Sequence, residues 1–301
     1  MVSVIIPNYN HARYLDARIQ SILNQSYRYF EIIILDDCST DNSKDVIEKY
    51  RDNEFVTHIV YNEHNSGSTF KQWEKGFELA KGELVWIAES DDCCNIHFLE
   101  TLVPQFNNKK MVLAFSRSMQ ISDKEELGVF PSQRKMNSCF EMDGKKFIEN
   151  FLSKVNIVVN ASSALIRKGF IENIPKDYYC YRGCGDWLFW IYIAEQGDVY
   201  YEAKSLNYFR QHFSNTTKKL FKSGNNSREV HHIYEYLYNK KYFKRFRGTW
   251  FRVSRLIAYT SKDQFENKAV LQSVLDEWNF SCSEYILGWL LKPYIWLKQH
   301  L

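Results

Sequence analysis

The chain has 301 residues, enough for one large domain with a smaller attachment. Its hydrophobic fraction of 45% and aromatic fraction of 16% supply a substantial core, which excludes a chain that is disordered over most of its length. The formal net charge of +3 is close to balanced, so overall charge does not indicate binding to nucleic acid, and we expect no such partner.

Strands and helices alternate along the first part of the chain. Apolar runs predict strands at 2–6, 30–35, 56–61 and 84–88, and apolar faces predict helices at 11–25, around 46–50 and at 70–80. The short connections between them predict an α/β fold with a mostly parallel central sheet and helices on both faces, a Rossmann-like arrangement. Ligands of such sheets bind beyond the carboxyl ends of the strands.

The pattern changes after residue 110. A strand is predicted at 111–115, residues 120–145 are expected to form loops over a site, and 178–197 begins as a loop and continues as a helix. Residues 228–301 predict several helices without strands. We therefore expect a main domain at 1–215, divided near residue 110 into halves of about 1–110 and 111–215, and a helical C-terminal extension at 216–301.

The cysteines and the start of the chain indicate a reducing compartment. Seven cysteines occur at irregular spacing, and Cys180 and Cys184 lack the matching second pair of a zinc site. The chain opens on the strand-like run at 2–6 rather than on a basic segment followed by an apolar one, so no secretory signal is visible. We expect free thiols and a location in the cytoplasm or at the inner face of the membrane.

Polar or acidic residues follow three of the predicted strands. Two adjacent carboxylates, such as Asp91 and Asp92 with Glu89 just before them, are costly to hold together unless a cation compensates them, and Mg²⁺ or Mn²⁺ is the natural partner. The structural alternative is a solvated loop cap, because Asp is common in turns. Convergence favours a ligand site, since the other two strands end at Asn8 and at Asp36-Asp37.

Two further acidic positions allow both structural and chemical roles. Asp37 is expected to contact a ligand, whereas the segment 39–41 is expected to cap the next helix. Asp186 follows Arg182-Gly-Cys-Gly and precedes an apolar helix, so it fits an N-cap and equally a general base presented at a helix start, with the flat ring of Trp187 beside it.

Three segments, taken together, closely resemble the family 2 glycosyltransferases of the GT-A fold. They are Val2-Ser-Val-Ile-Ile-Pro-Asn-Tyr-Asn10, Leu35-Asp-Asp-Cys-Ser-Thr-Asp41 and Gly82-Glu-Leu-Val-Trp-Ile-Ala-Glu-Ser-Asp-Asp92. The resemblance covers roughly residues 1–215. It implies metal-assisted transfer of a sugar, with inversion, from a nucleotide-diphosphate sugar, with a UDP-sugar favoured. It also implies a saccharide or lipid-linked acceptor, in the synthesis of cell-surface polysaccharide or glycolipid.

The resemblance also implies roles for individual residues. Glu89-Ser-Asp91 matches the family's Asp-x-Asp motif, Gly185-Asp186-Trp187 resembles its Glu-Asp motif, and Tyr208–His212 resembles its Tyr-Arg-x-His segment. Lys71 fits either a phosphate contact or a solvated helix position. The resulting expectations are catalysis by Asp186; nucleotide-sugar binding by Pro7, Asn8, Tyr9, Asp37, Lys71, Glu89 and Asp91; acceptor binding by Trp187; and binding of Mn²⁺ or Mg²⁺ by Asp91, Asp92 and His212.

Three residues depart from the family pattern. Glu89 stands where Asp is usual, Cys38 replaces the Gly of a tight turn, and Gly185 replaces a Glu. Gly185 is the best support for an alternative, a catalytically inactive sugar-nucleotide-binding or scaffold protein. A sugar nucleotidyltransferase is a weaker alternative, because the segment 7–11 has no glycine to hold a triphosphate. The absence of G-x-G-x-x-G after the first strand disfavours a nicotinamide enzyme.

The C-terminal tail allows two interpretations. Trp289, Tyr294 and Trp296, with nearby lysines, suit the water–lipid boundary. The segment 285–301 is too short and too interrupted to span a bilayer, which takes about 20 apolar residues. A basic run at 240–255 would add attraction to anionic lipid, giving peripheral membrane association. Alternatively, the tail packs on its own domain and the basic run is a solvated helix face.

Overall fold

A computed structural model describes residues 1–123, 125–211, 220–244, 246–261 and 264–300, without the side chains of Ser261 and of residues 294–300. Within these ranges ten strands form one sheet. The strands are β1 (Val2–Asn8), β2 (Phe30–Asp36), β3 (Val56–Tyr61), β4 (Leu84–Ile87), β5 (Cys93–Cys94), β6 (Met111–Ile121), β7 (Glu126–Val129), β8 (Phe140–Asp143), β9 (Ala164–Arg167) and β10 (Asp198–Arg210).

Helices cover both faces of this sheet and form the C-terminal part of the chain. The described α-helices are α1 (Ala12–Leu23), α2 (Ser43–Glu48), α3 (Thr69–Leu79), α4 (Phe98–Leu102), α5 (Gly144–Phe147), α6 (Gly185–Ala194), α7 (Asn225–Asn239), α8 (Arg247–Ser261), α9 (Lys268–Trp278) and α10 (Cys282–His300). None of them combines the length and the hydropathy that crossing a bilayer requires, as far as the described residues extend.

The sheet brings the polar strand ends together. Its order is β3-β2-β1-β4-β9-β6-β10-β5, with β7 beside β6 and β8 beside β10. Strand β1 lies parallel to β2 and to β4, and in this register Asn8 pairs with Asp36. Strand β9 runs antiparallel between β4 and β6 and joins the parallel N-terminal half to the rest. The predicted fold, a mostly parallel sheet with helices around it and a helical C-terminal region, is confirmed.

Alternate side chains of the central strands enter two separate apolar layers. On β1, Val4 faces the layer under α1, whereas Ile5 faces the layer that contains α3 and α6. The second layer continues into the C-terminal helices, where Ile233 and Trp278 belong to the same apolar cluster as Trp190 of α6. Helices α7 and α9 therefore extend the core of the sheet domain instead of enclosing one of their own.

Several elements depart from the sequence expectations. The segment 120–145 was expected to form loops, but it contains β7 and β8. These are short strands of mixed polarity whose formation depends on pairing with β6 and β10, which local sequence does not reveal. Strands β9 and β10 were also not predicted. All seven cysteines are free thiols, as expected, and Cys38 adopts the left-handed conformation, with φ of 63°, that a glycine would adopt more easily.

Candidate active site

A cleft of about 420 Å³ opens at the carboxyl ends of β1, β2 and β4. Its walls come from the loops that follow β1, β2, β3 and β4, from the start of α3 and from the loop before α6. The lining residues are Pro7, Asn8, Tyr9, His11, Asp37, Asn65, Gly67, Ser68, Thr69, Phe70, Gln72, Glu89, Ser90, Tyr181 and Arg182. Pockets at this edge of a parallel sheet are the usual ligand sites of α/β proteins.

The end of β1 supplies one rigid and one exposed side chain. Asn8 is buried, and its amide donates hydrogen bonds to Asp36 Oδ2 at 2.8 Å and to Ser39 Oγ at 3.2 Å, which fixes the loop after β2 against β1. Tyr9, the next residue, keeps 46% of its surface exposed in the cleft. Its ring is therefore available for stacking against a planar ligand group.

Asp37 organises the part of the cleft wall formed by the segment 62–72. Its carboxylate oxygens accept hydrogen bonds from Asn62 Nδ2 at 2.6 Å, from Gln72 Nε2 at 2.9 Å and from the Ser66 hydroxyl at 2.7 Å. The backbone amide of Ser66 donates to the same carboxylate at 2.9 Å. Asp37 is buried but lines the cleft, so it holds the segment 62–72 in place beside any bound ligand.

Negative charge concentrates after β4. Burial, reinforced by the neighbouring carboxylate of Asp91, raises the pKa of Glu89 to about 8. The indole of Trp73 donates a hydrogen bond to Glu89 Oε1 at 3.0 Å, which holds this side chain at the cleft wall. Asp91 is half-buried in the same turn. The two carboxylates raise each other's cost of ionisation, which is the electrostatic condition that a bound cation relieves.

Asp92 faces the interior instead. It is 1% exposed, and its carboxylate accepts hydrogen bonds from Asn160 Nδ2, from Ser162 Oγ at 2.6 Å and from the backbone amide of Arg210 at 3.0 Å. Burial raises the pKa of this carboxyl well above its usual range. Arg18, fully buried on α1 and stacked 4.9 Å from the Trp86 ring, opposes that rise with its positive charge. Asp92 thus ties β10 and the segment before β9 to the acidic turn.

Asp186 lies at the first turn of α6. Its Oδ2 accepts a hydrogen bond from Asn156 Nδ2 at 2.8 Å, and its Oδ1 accepts one from the amide of Trp187 at 2.8 Å. Burial raises the pKa of Asp186 to about 7. Asp186 is not among the cleft-lining residues, but Tyr181 and Arg182, in the loop before it, are. A carboxylate with a near-neutral pKa beside a cleft has the properties of a general base.

The residue before Asp186 has no room for a side chain. A Cβ on Gly185 would lie 2.6 Å from the Phe70 ring and would also collide with the backbone carbonyl of Tyr178. Phe70 thus fills the space next to Gly185 and presents its other side to the cleft. Trp187 is also packed away, being 5% exposed with its indole bonded to the Leu152 carbonyl at 2.9 Å. Trp187 therefore has no exposed ring face against which an acceptor sugar could stack, as its predicted role requires.

Among the described residues, Lys71 is another predicted site residue that does not join the cleft. Lys71 is exposed, is absent from the lining, and donates to the Ser66 carbonyl at 3.2 Å. His212 lies outside the described residues.

Some site residues were missed by sequence reasoning although signals for them existed. Asn156 and Asn160 interrupt an apolar run, and Arg18 stands in the apolar stripe of α1, where a charged residue is unusual. Glu229 of α7 accepts hydrogen bonds from the loop before α6 and carried no such signal.

The donor set fits a cation that shares its coordination with a ligand. Among the described residues, no three His, Cys, Asp or Glu side chains converge into a complete metal cage. Mg²⁺ and Mn²⁺ need only one or two carboxylates when phosphate oxygens and water supply the remaining positions. Asp91 and Glu89, two carboxylates of the same turn after β4, can supply that number. Three donors hold the carboxylate of Asp92.

Comparison with known proteins gives the family. The model of the family described as Glycosyl transferase family 2 matches residues 3–174, more than half of the chain. The chain belongs to this family. It is 41% identical over 92 residues to the putative teichuronic acid biosynthesis glycosyltransferase TuaG of Bacillus subtilis (strain 168), a segment that is 31% of this chain and 36% of that relative. The chain therefore matches only about a third of the length of that relative.

Solved structures support the fold. The crystal structure of S. aureus TarS 1-349 in complex with UDP-GlcNAc superimposes with a TM-score of 0.63 and 22% identity, over 77% of this chain and 64% of that one. The mannosyltransferase PcManGT from Pyrobaculum calidifontis, in complex with GDP-Man and Mn²⁺, superimposes with a TM-score of 0.55 and 13% identity, over 97% and 87% of the two chains. The predicted GT-A fold is confirmed.

The packing at Gly185 can be tested by substitution. We expect Gly185→Ala to lower the free energy of unfolding by about 1–3 kcal/mol, because the new methyl group must displace Phe70 or the Tyr178 backbone. Urea denaturation measures this change. Gly169→Ala is the matched control, since no atom lies within 4 Å of its added Cβ, and it should change stability by no more than about 0.5 kcal/mol. Equal effects of the two substitutions would refute the packing argument.

Proposed function

We propose that this protein transfers a sugar, with inversion, from a nucleotide-diphosphate sugar to an acceptor hydroxyl in the assembly of a cell-surface polysaccharide or glycolipid. The observation that carries the proposal is Asp186, a carboxylate whose pKa lies near 7 and which is held by Asn156 beside a cleft lined with donor-binding candidates. The family assignment sets the reaction class.

The donor is proposed to lie along the cleft. Tyr9 and Pro7 would flank the nucleotide base, and Asp37 would hold the wall that receives it. Glu89 and Asp91 would then stand near the diphosphate. A divalent cation bound at Asp91 would neutralise negative charge on that diphosphate. A UDP-sugar is the favoured donor, since TarS, a structural neighbour, was solved with UDP-GlcNAc.

The chemical step needs one proton acceptor. The acceptor hydroxyl oxygen attacks the anomeric carbon from the face opposite the diphosphate, and its proton passes to the carboxylate of Asp186. The bond between the anomeric carbon and the diphosphate oxygen breaks, and the diphosphate leaves with the electron pair. Asn156 keeps Asp186 oriented through its 2.8 Å hydrogen bond, so the chain's own residues supply both base and alignment.

The inactive-scaffold alternative rests on Gly185. Its missing side chain is accounted for by Phe70, which occupies the space, and the candidate base next to it is retained. This arrangement favours an active enzyme with an altered acceptor side over a binding protein without chemistry.

An apolar stripe on α10 supports a membrane-associated acceptor. Tyr285, Ile286, Trp289 and Leu290 recur at helical spacing, and Trp289 keeps 78% of its surface exposed. The basic run contributes less than its sequence implies. Three of its side chains are engaged with other parts of the chain: Lys244 pairs with Glu149, Arg247 donates to the Glu149 carbonyl, and Arg252 pairs with Glu284. We therefore propose peripheral docking driven mainly by the stripe, with a lipid-linked acceptor.

Donor binding is expected to require a divalent cation. A thermal-shift screen uses UDP-GlcNAc, UDP-glucose and GDP-mannose, each with and without Mn²⁺. We expect one of these donors to raise the melting temperature, and to do so in the presence of Mn²⁺ but not in its absence. Asp91→Asn should remove that stabilisation because it removes the half-buried carboxylate that we propose binds the metal. Subsequent hydrolysis of the stabilising donor then tests for activity.

Asp92→Asn provides the contrast. The amide cannot accept all three hydrogen bonds of this buried carboxylate, so the ligand-free protein should lose about 1–3 kcal/mol of stability. Equal Mn²⁺-dependent donor binding by the Asp91→Asn variant and the parent would contradict the metal assignment.

Loss of the base should abolish transfer and leave donor binding intact. Asp186→Asn is expected to lower kcat at least about 100-fold, because its amide cannot accept the proton, with the donor dissociation constant nearly unchanged. In the parent, kcat/KM should fall about tenfold per pH unit below about pH 7, since protonation of Asp186 removes the base. A parent-like rate in the variant would favour the scaffold alternative. Calorimetry and a pH series of donor hydrolysis are the measurements.

Docking is tested by flotation with anionic liposomes. The intact protein should rise with the vesicles, and Trp289→Ser combined with Leu290→Ser should leave it at the bottom of the gradient. Tyr29→Ser, which removes another exposed aromatic ring far from α10 in sequence, is the control and should float like the parent. An intact protein that stays at the bottom at low salt would show that the tail only packs on its own domain.

A further inference from the structure

The loop before the candidate base is held by one side chain from the C-terminal extension. Glu229 of α7 accepts hydrogen bonds from three successive backbone amides: Arg182 N at 2.7 Å, Gly183 N at 2.9 Å and Cys184 N at 2.7 Å. One carboxylate oxygen takes the first amide and the other takes the next two. Three consecutive amides turned toward one carboxylate form an anion-binding concavity, here filled from within the protein.

This contact lies directly between the cleft and the base. Arg182 lines the cleft, while Cys184 is followed by the first turn of α6 with Gly185 and Asp186. The amides at the start of α6 carry the positive end of the helix dipole, so a carboxylate is favoured at this place. Glu229 therefore holds both ends of the loop, at Arg182 and at Cys184, through hydrogen bonds that its negative charge strengthens.

The helix that carries Glu229 is itself firmly placed. Val230 and Ile233 of α7 belong to the main apolar cluster, and the Trp278 indole donates to the Ser227 carbonyl at 3.1 Å. Asn226, one turn before Glu229, donates to the Cys184 sulfur at 3.1 Å. The loop by contrast contains exposed Gly183, a residue with wide backbone freedom. In the described part of the chain, Glu229 is the hydrogen-bond partner of the backbone amides of all three residues 182–184.

We propose that Glu229 is a positioning residue that fixes the loop 182–184, so that Asp186 and the cleft residue Arg182 are set in their working geometry. The inference rests on the proposed function, in which Asp186 is the general base. It makes the C-terminal helices part of the catalytic apparatus, because the side chain that fixes the loop comes from α7 rather than from the sheet domain.

The charge of Glu229 also acts on Asp186. Burial is the main reason for the raised pKa of Asp186, the Trp187 amide and Asn156 oppose it, and Glu229 adds to it. Cys184 lies in the same surroundings, and its buried thiol has a raised pKa that Arg255 opposes, so it contributes no negative charge near neutral pH. Removal of the Glu229 charge should therefore lower the pKa of Asp186.

The test compares three variants by hydrolysis of the nucleotide sugar that gives the largest shift in the screen, with UDP-GlcNAc as the first probe. Glu229→Ala should lower kcat about 10- to 100-fold, with the donor dissociation constant within about threefold of the parent, because misplacement of a base by about 1 Å costs this much. Glu229→Gln should lose less, since its carbonyl still accepts from two amides. In both variants the acid limb of the pH profile should move to lower pH. Glu235→Gln, on the exposed side of the same helix, should match the parent.

The outcomes separate the proposals. A parent-like kcat in Glu229→Ala overturns this inference, and so does a loss of rate with an unmoved acid limb, which would indicate only a structural role. If Glu229→Ala does not fold, the Glu229→Gln pH profile decides. The proposed function is tested separately by Asp186→Asn, and a parent-like rate in that variant would contradict it. If Asp186→Asn is inactive and Glu229→Ala is fully active, only the positioning role of Glu229 is rejected.

Discussion

Several carboxylates crowd one edge of the sheet, and the rest of the site depends on how their burial is compensated. One irregular segment, 156–162, provides much of that compensation. Asn156 donates to Asp186, while Asn160 and Ser162 donate to Asp92. The Ser162 hydroxyl also accepts the amide of Glu89 at 3.0 Å. One short segment thus contacts both the acidic turn and the candidate base. Since its residues are close neighbours in the chain, the segment limits how far the turn and the base can move apart.

The hydrogen bonds from these amides and hydroxyls offset the burial of the carboxylates only in part. Glu89, Asp92 and Asp186 keep raised pKa values, because amides and hydroxyls offset burial less fully than an opposite charge does. Arg18 supplies an opposing positive charge to Glu89 and Asp92, and it is fully buried and not among the cleft-lining residues. A carboxylate whose ionised form is destabilised readily takes up a proton or binds a cation. The proposed sugar transfer requires both of these activities.

Local sequence was sufficient for the parts of the molecule that local physics determines. Strands β1, β2 and β4 are continuous apolar runs, so their existence, and the gathering of Asn8 and the acidic residues at one edge, followed from the sequence. Strand β9 and the contacts of Glu229 depend on chain segments that are distant in sequence, and no local pattern encodes them. Asn156 stands out in an apolar run, but that pattern does not reveal its partner Asp186. Trp187 shows the opposite case. Its place beside the predicted base suggested an acceptor-binding ring, but the ring lies in the core.

The fit between Phe70 and Gly185 has an evolutionary consequence. On this fold, a Glu at position 185 requires both a smaller side chain at position 70 and a different backbone path at position 178, whereas Gly185 with a small residue at position 70 would leave a hole beside the cleft. Either single change passes through an overpacked or a hollow intermediate, so the two positions are expected to have changed together or through a compromise residue. Recombination that exchanges the first third of this chain with that of a relative with Glu before its base would separate the pair and yield poorly folded chimeras.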